Sequence, residues 1–287
     1  MIVPWTIFQV YGDARILEKH YGAMARWIGY LQSANPGGLW LERRNNDFGD
    51  WLSIGAETDK DLLATAYYAY DAALTSKIAA VLGKAEDAAR YEALFERIRA
   101  AFSAAFSAAF VGPDARLKGD TQTAYVLALR FGFPSWGCSI RHGATTIRER
   151  WNGWTADGGF GDPGMNSFNH YSLRSVGEWL QRHVAGIDTD PDRPGFAHLR
   201  LRPHPDRRLG SVRASFDSIR GRIDSAWTLD GDTFRWSVTV PPNVTATVSV
   251  PAADPARESG GLPSARAEDG CAVFEAGSGD YEFSSRL

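Results

Sequence analysis

The chain has 287 residues, 44% hydrophobic and 23% charged, with a net charge of -3, which is room for one large or two ordinary domains. That balance disfavours nucleic acid and anionic membrane surfaces as partners, and no apolar run approaches the length of a membrane span. Ten tryptophans are the unusual feature, and core packing together with a stacking site accounts for them.

The chain opens inside an apolar pattern, without the basic lead and small-residue cleavage site of a signal peptide. It reads as though cut from a longer chain, and the compartment stays open. Residues 3–33 read as two helical pieces. Asp13 is expected to cap the second, with Ile16, Tyr21, Met24, Ile28 and Leu31 as its apolar stripe. An aromatic and acidic loop follows, ending in Gly49-Asp50-Trp51. Thr58 is expected to cap a helix to about Leu82, with Leu62, Leu63, Ala66, Tyr67, Tyr70 and Leu74 on its buried side, and Gly83 to stop it. A partner helix from Glu86 to about Phe106 carries Tyr91, Leu94, Ile98, Ala101 and Phe102, and the short connection predicts an antiparallel hairpin. Asp120 is expected to cap another helix, TQTAYVLALRFG. A last helix is expected over 166–184, with Tyr171, Val176, Trp179 and Leu180 inward.

About six helices paired by hairpins, with aromatic loops between them, point to an α/α toroid with roughly half its helices. From Pro194 the period changes to two. HLRLRPHP, SVRASFDSI, GRIDSAWTL, TFRWSVTVP, TATVSVP, CAVFEA and DYEFSS read as short strands separated by turn residues such as Asp230-Gly231-Asp232, and predict an antiparallel β-sandwich of jelly-roll type. The expected fold is α + β and multi-domain, with a partial toroid over 1–190 and the sandwich over 191–287. The boundary falls in IDTDPDRPG, and Pro255 to Ala267 reads as an exposed loop. The sequon Asn243-Val244-Thr245 is a short pattern common by chance.

Between Pro134 and Tyr171 neither period survives. The stretch is rich in Gly and in Trp, Phe and Tyr, with His142, Glu149, Asp157, Asp162 and His170 interleaved. Long irregular segments inside a globular chain are functional or disordered, and disordered ones are poor in aromatics. Aromatic platforms with a few carboxylates on Gly-turned backbone suit a sugar, whose flat C–H faces stack on Trp while its hydroxyls reach Asp, Glu and His. Glu149, two residues before Trp151, is either a general base for a water attacking a sugar or a member of an ion-pair network with Arg148 and Arg150. Asp50 and Trp51 are either a sugar contact or a helix-entry turn. His170 is either a donor to a sugar or a carboxylate, or a buried capped histidine. Asp157 and Asp162 read as turn residues. No glycine-rich phosphate loop, metal-ligand cluster or GxSxG elbow is present, so no cofactor and no metal are expected. The two cysteines, Cys138 and Cys271, match no disulfide framework.

Taken together, YGD at 11–13, DFGDWLS at 47–53, GDTQTAY at 119–125, FPSWG at 133–137, HGATTIRERWNGW at 142–154 and FNHY at 168–171 resemble bacterial α-L-rhamnosidases of glycoside hydrolase family 78. The resemblance continues through GRIDSAWTLDG and VPPNVTATVSVP. It implies an (α/α)6 barrel followed by a β-sandwich, and inverting hydrolysis of terminal α-L-rhamnosyl groups from a rhamnosylated glycoside or oligosaccharide. By resemblance Glu149 is the general base, and Asp50, Trp51, Trp136, Trp151 and His170 line the rhamnose pocket. Three departures stand out. Arg148 occupies a place where the family pattern has an aromatic. The acidic, Trp-containing motif of the general acid has no counterpart here. Gly132 runs directly into Phe133, where the family has several dozen further residues. The expectation is therefore a truncated, internally deleted and catalytically impaired rhamnosidase, open to self-association through an incomplete barrel. The competing readings are a non-catalytic sugar-binding module and a polysaccharide lyase on an α/α toroid, with His170 and Tyr171 moving the proton.

Overall fold

The computed structural model describes residues 1–42, 47–55, 57–110, 121–255 and 266–287. Its contacts divide the chain into two compact units, one drawn from 1–8 and 12–118 and the other from 9–11 and 119–287. The expected cap at Asp120 and most of the expected loop at 255–267 lie outside the described residues.

The first unit is helical. Helix α1 (Ile2–Tyr11) runs through the division between units, and α2 (Arg15–Ala34), α3 (Lys60–Val81) and α4 (Ala85–Phe110) follow. Helices α3 and α4 form the expected hairpin. Gly83 takes a φ of 70°, and the Lys84 N–H reaches back to the Ala79 carbonyl at 2.9 Å. That left-handed geometry is the glycine stop of a Schellman ending. Asp13 does not occupy the cap position of α2, which is Ala14, but its carboxylate still accepts the Arg15 N–H at 3.0 Å. The Arg15 side chain bonded to that carboxylate holds its pKa down at about 2.

Three expectations about helix faces are corrected. The buried stripe of α2 begins at Leu17 rather than Ile16 and runs through Met24, Ile28 and Leu31. Asp59, not Thr58, caps α3, its Oδ1 accepting the Asp61 and Leu62 N–H groups at 2.8 and 3.3 Å. Leu62 and Leu74 are buried as expected and are joined by Thr65, Tyr68, Ala72 and Thr75, while Ala66, Tyr67 and Tyr70 are exposed. Three tyrosines within four positions offer two possible faces. Tyr68 is the one turned inward; on that face Thr65 Oγ1 accepts the Trp40 N–H at 3.0 Å, while Thr75 donates to the Asp71 carbonyl of its own helix at 2.7 Å. Tyr68 packs with Ile28, Leu31, Tyr91, Leu94 and Ile98 to form the core of the hairpin.

The second unit begins with α5 (Thr121–Ala128) and a short α6 (Trp136–Arg141) within the stretch expected to be irregular. The Ser135 hydroxyl caps α6 by accepting the Cys138 N–H at 3.0 Å. A small hairpin, β1 (Trp154–Thr155) with β2 (Gly159–Phe160), comes next. The helix expected over 166–184 is shorter. Helical turns start at Ser172 and continue through α7 (Ser175–Trp179) and a π-turn at Leu180–Val184, leaving Tyr171 and Leu180 exposed.

The sandwich has two sheets. One orders β3 (Ile187–Thr189), β4 (His198–Leu201), β8 (Thr245–Pro251), β10 (Cys271–Ala276) and β9 (Arg266–Glu268). The other orders β11 (Gly279–Arg286), β7 (Thr233–Val240), β6 (Gly221–Asp230) and β5 (Ser211–Ser218). The period-two segments all become strands. Strand β3 falls inside the expected linker, and β9 overlaps the end of the expected loop. One pair departs from the antiparallel expectation, since β4 runs parallel to β8.

Alternation along β6 and β7 sends Ile223, Ser225, Trp227, Phe234, Trp236 and Val238 inward, where they meet Val248, Phe274 and Phe283. Buried indoles need acceptors. Trp236 donates to Ser225 Oγ at 2.9 Å, Ser225 donates to the Ala185 carbonyl at 2.7 Å, and Trp227 donates to the Val184 carbonyl at 2.8 Å. Gly186 follows with a φ of 75°, and a Cβ there would meet Pro203 N at 2.2 Å. Buried His198 is held at both ring nitrogens, by Thr245 Oγ1 at 2.6 Å and Thr247 Oγ1 at 2.8 Å.

Candidate active site

The segment around Glu149 is ordered by a mixture of backbone and side-chain bonds rather than by a regular ladder. Glu149 and Ser167, eighteen positions apart, exchange two bonds. The Glu149 N–H donates to the Ser167 carbonyl at 2.8 Å, and the Ser167 N–H donates to Glu149 Oε2 at 2.9 Å. The His170 N–H donates to the Ile147 carbonyl at 2.9 Å, and the Thr146 hydroxyl donates to the Phe168 carbonyl. These bonds clamp 146–149 against 167–170. Asn166 adds a link from Nδ2 to the Gly153 carbonyl at 2.8 Å, close enough that a Cβ on Gly153 would meet Asn166 Oδ1.

The Glu149 side chain is 12% exposed, and its Oε1 lies 3.9 Å from His170 Nε2. The Ser172 N–H donates to His170 Nδ1 at 3.2 Å, and Ser172 Oγ sits 3.0 Å from the same nitrogen. Nδ1 is therefore the acceptor, so in the neutral ring Nε2 carries the proton and faces Glu149. This half-buried carboxylate has one oxygen fixed by a backbone donor and the other beside an imidazole N–H. That arrangement can accept a proton from a polarised water or hydroxyl.

Among the described residues the ion-pair neighbour of Glu149 is His170, not Arg148 or Arg150. Arg150 Nε donates to Asn152 Oδ1 at 2.7 Å, and Arg148 Nη1 to the Trp154 carbonyl at 3.2 Å. The Arg148 guanidinium lies over the rings of Trp154 and Phe168 at 5.6 and 5.3 Å, filling among aromatics the place where an aromatic was expected. Trp136 and Trp151 meet edge to face at 5.2 Å, and Trp136 Nε1 donates to the Leu173 carbonyl at 3.1 Å.

Glu149 with His170 and Trp136 with Trp151 thus form two pairs within the second unit. Asp50 and Trp51 belong to the first. There Asp50 is exposed and accepts the Thr58 hydroxyl at 3.0 Å, while Trp51 is 55% exposed and packs edge to face on Phe48. Gly49, with φ of 58°, makes the turn before them. Asp162 caps a short turn through the Gly164 N–H at 2.9 Å, and Asp157 lies in the turn of the β1–β2 hairpin, as turn residues. The sequence reading missed Ser167 and Ser172. Both act through backbone N–H groups, which leave no mark in residue identity.

A cavity of about 390 Å³ opens beside this segment, walled by Phe133, Trp151 and Trp154 and bearing His142, Arg148 and Asp157. A wider depression of about 620 Å³ runs over the outer face of the four-stranded sheet, with Arg213, Arg235 and Glu282, and holds none of the predicted site residues. Among the described residues no group of three or more His, Cys, Asp or Glu could hold a metal ion, and no helix is long and apolar enough to cross a membrane.

This arrangement of helical hairpins, an aromatic loop with a clamped carboxylate and a following sandwich is that of a six-hairpin glycosidase with a β domain. The model of the bacterial alpha-L-rhamnosidase 6 hairpin glycosidase domain matches residues 1–133 and 132–184, and that of the bacterial alpha-L-rhamnosidase C-terminal domain matches 186–262. The chain belongs to the bacterial α-L-rhamnosidase family. An alpha-L-rhamnosidase of Streptomyces avermitilis is 38% identical, over 98% of this chain and 32% of its own length. One from Formosa agariphila is 31% identical, over 87% of this chain and 33% of its own. The crystal structure of the Streptomyces avermitilis enzyme complexed with L-rhamnose superposes with a TM-score of 0.82 at 37% identity, covering 98% of this chain and 32% of that one. The alpha-L-rhamnosidase of Dictyoglumus thermophilum gives 0.80 at 25% identity, covering 99% and 38%. The chain therefore spans about a third of the length of these relatives. The family match also breaks into two stretches that meet at Gly132–Phe133, where the sequence departs from the family pattern.

Proposed function

We propose that this chain carries the base-bearing part of an inverting α-L-rhamnosidase, acting on terminal non-reducing α-L-rhamnosyl groups of a glycoside or oligosaccharide. Glu149 is the general base. His170 orients it and reaches the sugar, and Trp136 and Trp151 line the pocket. The observation that carries this reading is the clamped Glu149 carboxylate, with Ser167 N–H on one oxygen and His170 Nε2 facing the other. Residues 1–190 are read as barrel and 191–287 as sandwich. Membership of a rhamnosidase family favours hydrolysis over lyase chemistry, and neither nucleic acid nor a membrane is a partner.

An inverting reaction needs an acid at the leaving oxygen as well as a base across the ring. Only the base half is assigned within these residues; wherever no donor serves the leaving oxygen, turnover falls by the donor's share, about 10²–10⁴-fold. Val126, Leu127, Phe131, Phe133 and Ile140 are each more than 40% exposed, and apolar surface of this kind favours association. Self-association through that face is part of the proposal.

Release of p-nitrophenol from p-nitrophenyl α-L-rhamnopyranoside tests the base without demanding the acid, because this leaving group needs little protonation. The wild-type chain is expected to turn over slowly, and Glu149→Gln not at all. Equal rates in both would remove Glu149 from the mechanism. Rhamnose binding with no turnover in either would mark the chain as a sugar-binding remnant.

A further inference from the structure

We infer that the cavity bounded by Phe133, Trp151 and Trp154 is a binding site for a six-membered ring carrying a carboxylate, a uronic acid in sugar chemistry, with Arg148 as its anchor. The Glu149 carboxylate turns toward Ser167 and His170, while Arg148 turns toward Trp154 and Phe168 and lines this cavity. The two adjacent residues therefore serve different spaces.

Arg148 is 8% exposed, and a buried guanidinium normally has its charge and its donors answered. Here Nη1 donates to the Trp154 carbonyl, Nε is buried with no partner, and no carboxylate pairs with the group among the described residues. The rings of Trp154 and Phe168 supply cation–π attraction but no hydrogen-bond acceptor. A ligand carboxylate matches this need in charge and in fork geometry.

The rest of the cavity fits a sugar ring. Its volume, about 390 Å³, is in the range of small-molecule sites, and its walls are aromatic with a few polar groups. The polar groups are also ordered by depth. Arg148 is buried, whereas His142 and Asp157 are exposed. An incoming uronate would place its carboxylate inward at Arg148 and its hydroxyls outward, where Asp157 accepts them. The reverse pose would set two carboxylates together.

Trp151 lines the cavity and also packs on Trp136, so the site adjoins the proposed rhamnose pocket. Its place in a substrate rests on the rhamnosidase reading: the acidic ring would be another unit of the same oligosaccharide. Binding of the acid does not rest on that reading and is measured separately.

The test is a titration of tryptophan fluorescence in the full chain with D-glucuronate, its methyl ester, benzoate and L-rhamnose. Glucuronate is expected to give a saturable change, with the neutral ester about tenfold or more weaker, the share of a hydrogen-bonded charge. Arg148→Gln, checked for folding by circular dichroism, is expected to erase the difference between acid and ester. Asp157→Asn, at an exposed turn, is expected to weaken both equally. Saturating rhamnose should leave glucuronate affinity unchanged. Equal affinity of acid and ester in the wild-type chain, or displacement of glucuronate by rhamnose, would overturn the site. Benzoate binding as tightly as glucuronate would overturn the assignment to a sugar acid. The rhamnosidase reading fails separately, through the absence of rhamnose binding and nitrophenol release.

Discussion

The sandwich and the loop segment from His142 to Tyr171 achieve order by opposite means. In the sandwich, ladders of backbone bonds run the length of β5, β6, β7 and β11, and side chains fill the space between sheets. In the loop, 146–149 and 167–170 are tied by four bonds, two between backbones and two through the Thr146 hydroxyl and the Glu149 carboxylate. A redundant scaffold tolerates the loss of one contact, whereas a segment held by so few bonds changes shape when one is cut. Chemistry sits on the second because a carboxylate must be aimed, and aiming needs irregular backbone.

The contrast can be broken at several points. The largest effect is expected from Trp236→Ala, which empties a fully buried indole site and leaves the Ser225 hydroxyl without its donor. The cost is about 3–5 kcal/mol, read as a lowered urea midpoint. Gly186→Ala follows, because the added Cβ meets Pro203 backbone and the φ of 75° disfavours alanine. About 2–4 kcal/mol of strain and overpacking is expected, visible as a drop in Tm. Thr146→Val should cost about 1 kcal/mol of stability. It should nevertheless reduce nitrophenol release severalfold, because it loosens the loop segment that carries Glu149. A stability loss without an activity loss would put the aiming of Glu149 elsewhere.

The mildest effect concerns pH. Burial holds the His198 and His204 imidazoles below the ordinary histidine range. The unfolded chain therefore takes up those protons first as pH falls. The stability the two rings contribute is complete above the unfolded value of about 6.5 and is lost as pH drops through their folded-state values. Asp206, held low first of all by the Arg208 side chain bonded to it, acts only at lower pH. Urea midpoints at pH 7.5 and 5.5 should differ, and His198→Gln should narrow the difference. An unchanged slope would mean that the buried ring titrates as it does in the unfolded chain.

The same contrast explains what could be read in advance. Period two announced every long strand, because alternation is written in residue identity. The pairs Tyr91–Leu94–Ile98 and Met24–Ile28–Leu31 announced helix faces for the same reason. Strands β3 and β9, three residues each, are too short to show a period and are defined by their partners. The choice of Tyr68 over Tyr67 and Tyr70 could not be read from residue type, because the three side chains are the same. Glu149 was legible as a candidate, yet the alternative of an arginine network stayed open because its real partner, Ser167, is distant in sequence and acts through the backbone. The cavity beside Arg148 is likewise invisible in the string, which shows only that an arginine has replaced a ring.

One consequence follows for dissection of the chain. Trp227 and Ser225, deep in the sandwich, hand their protons to the carbonyls of Val184 and Ala185, which precede the first strand. A protease or a cloning boundary that severs the chain just after Ala185 would separate two buried donors from the groups that answer them. A cut ahead of Trp179 would keep them paired but would part that indole from Tyr125, on which it packs edge to face. A fragment that keeps both pairs therefore begins inside a helix, several residues before any strand does.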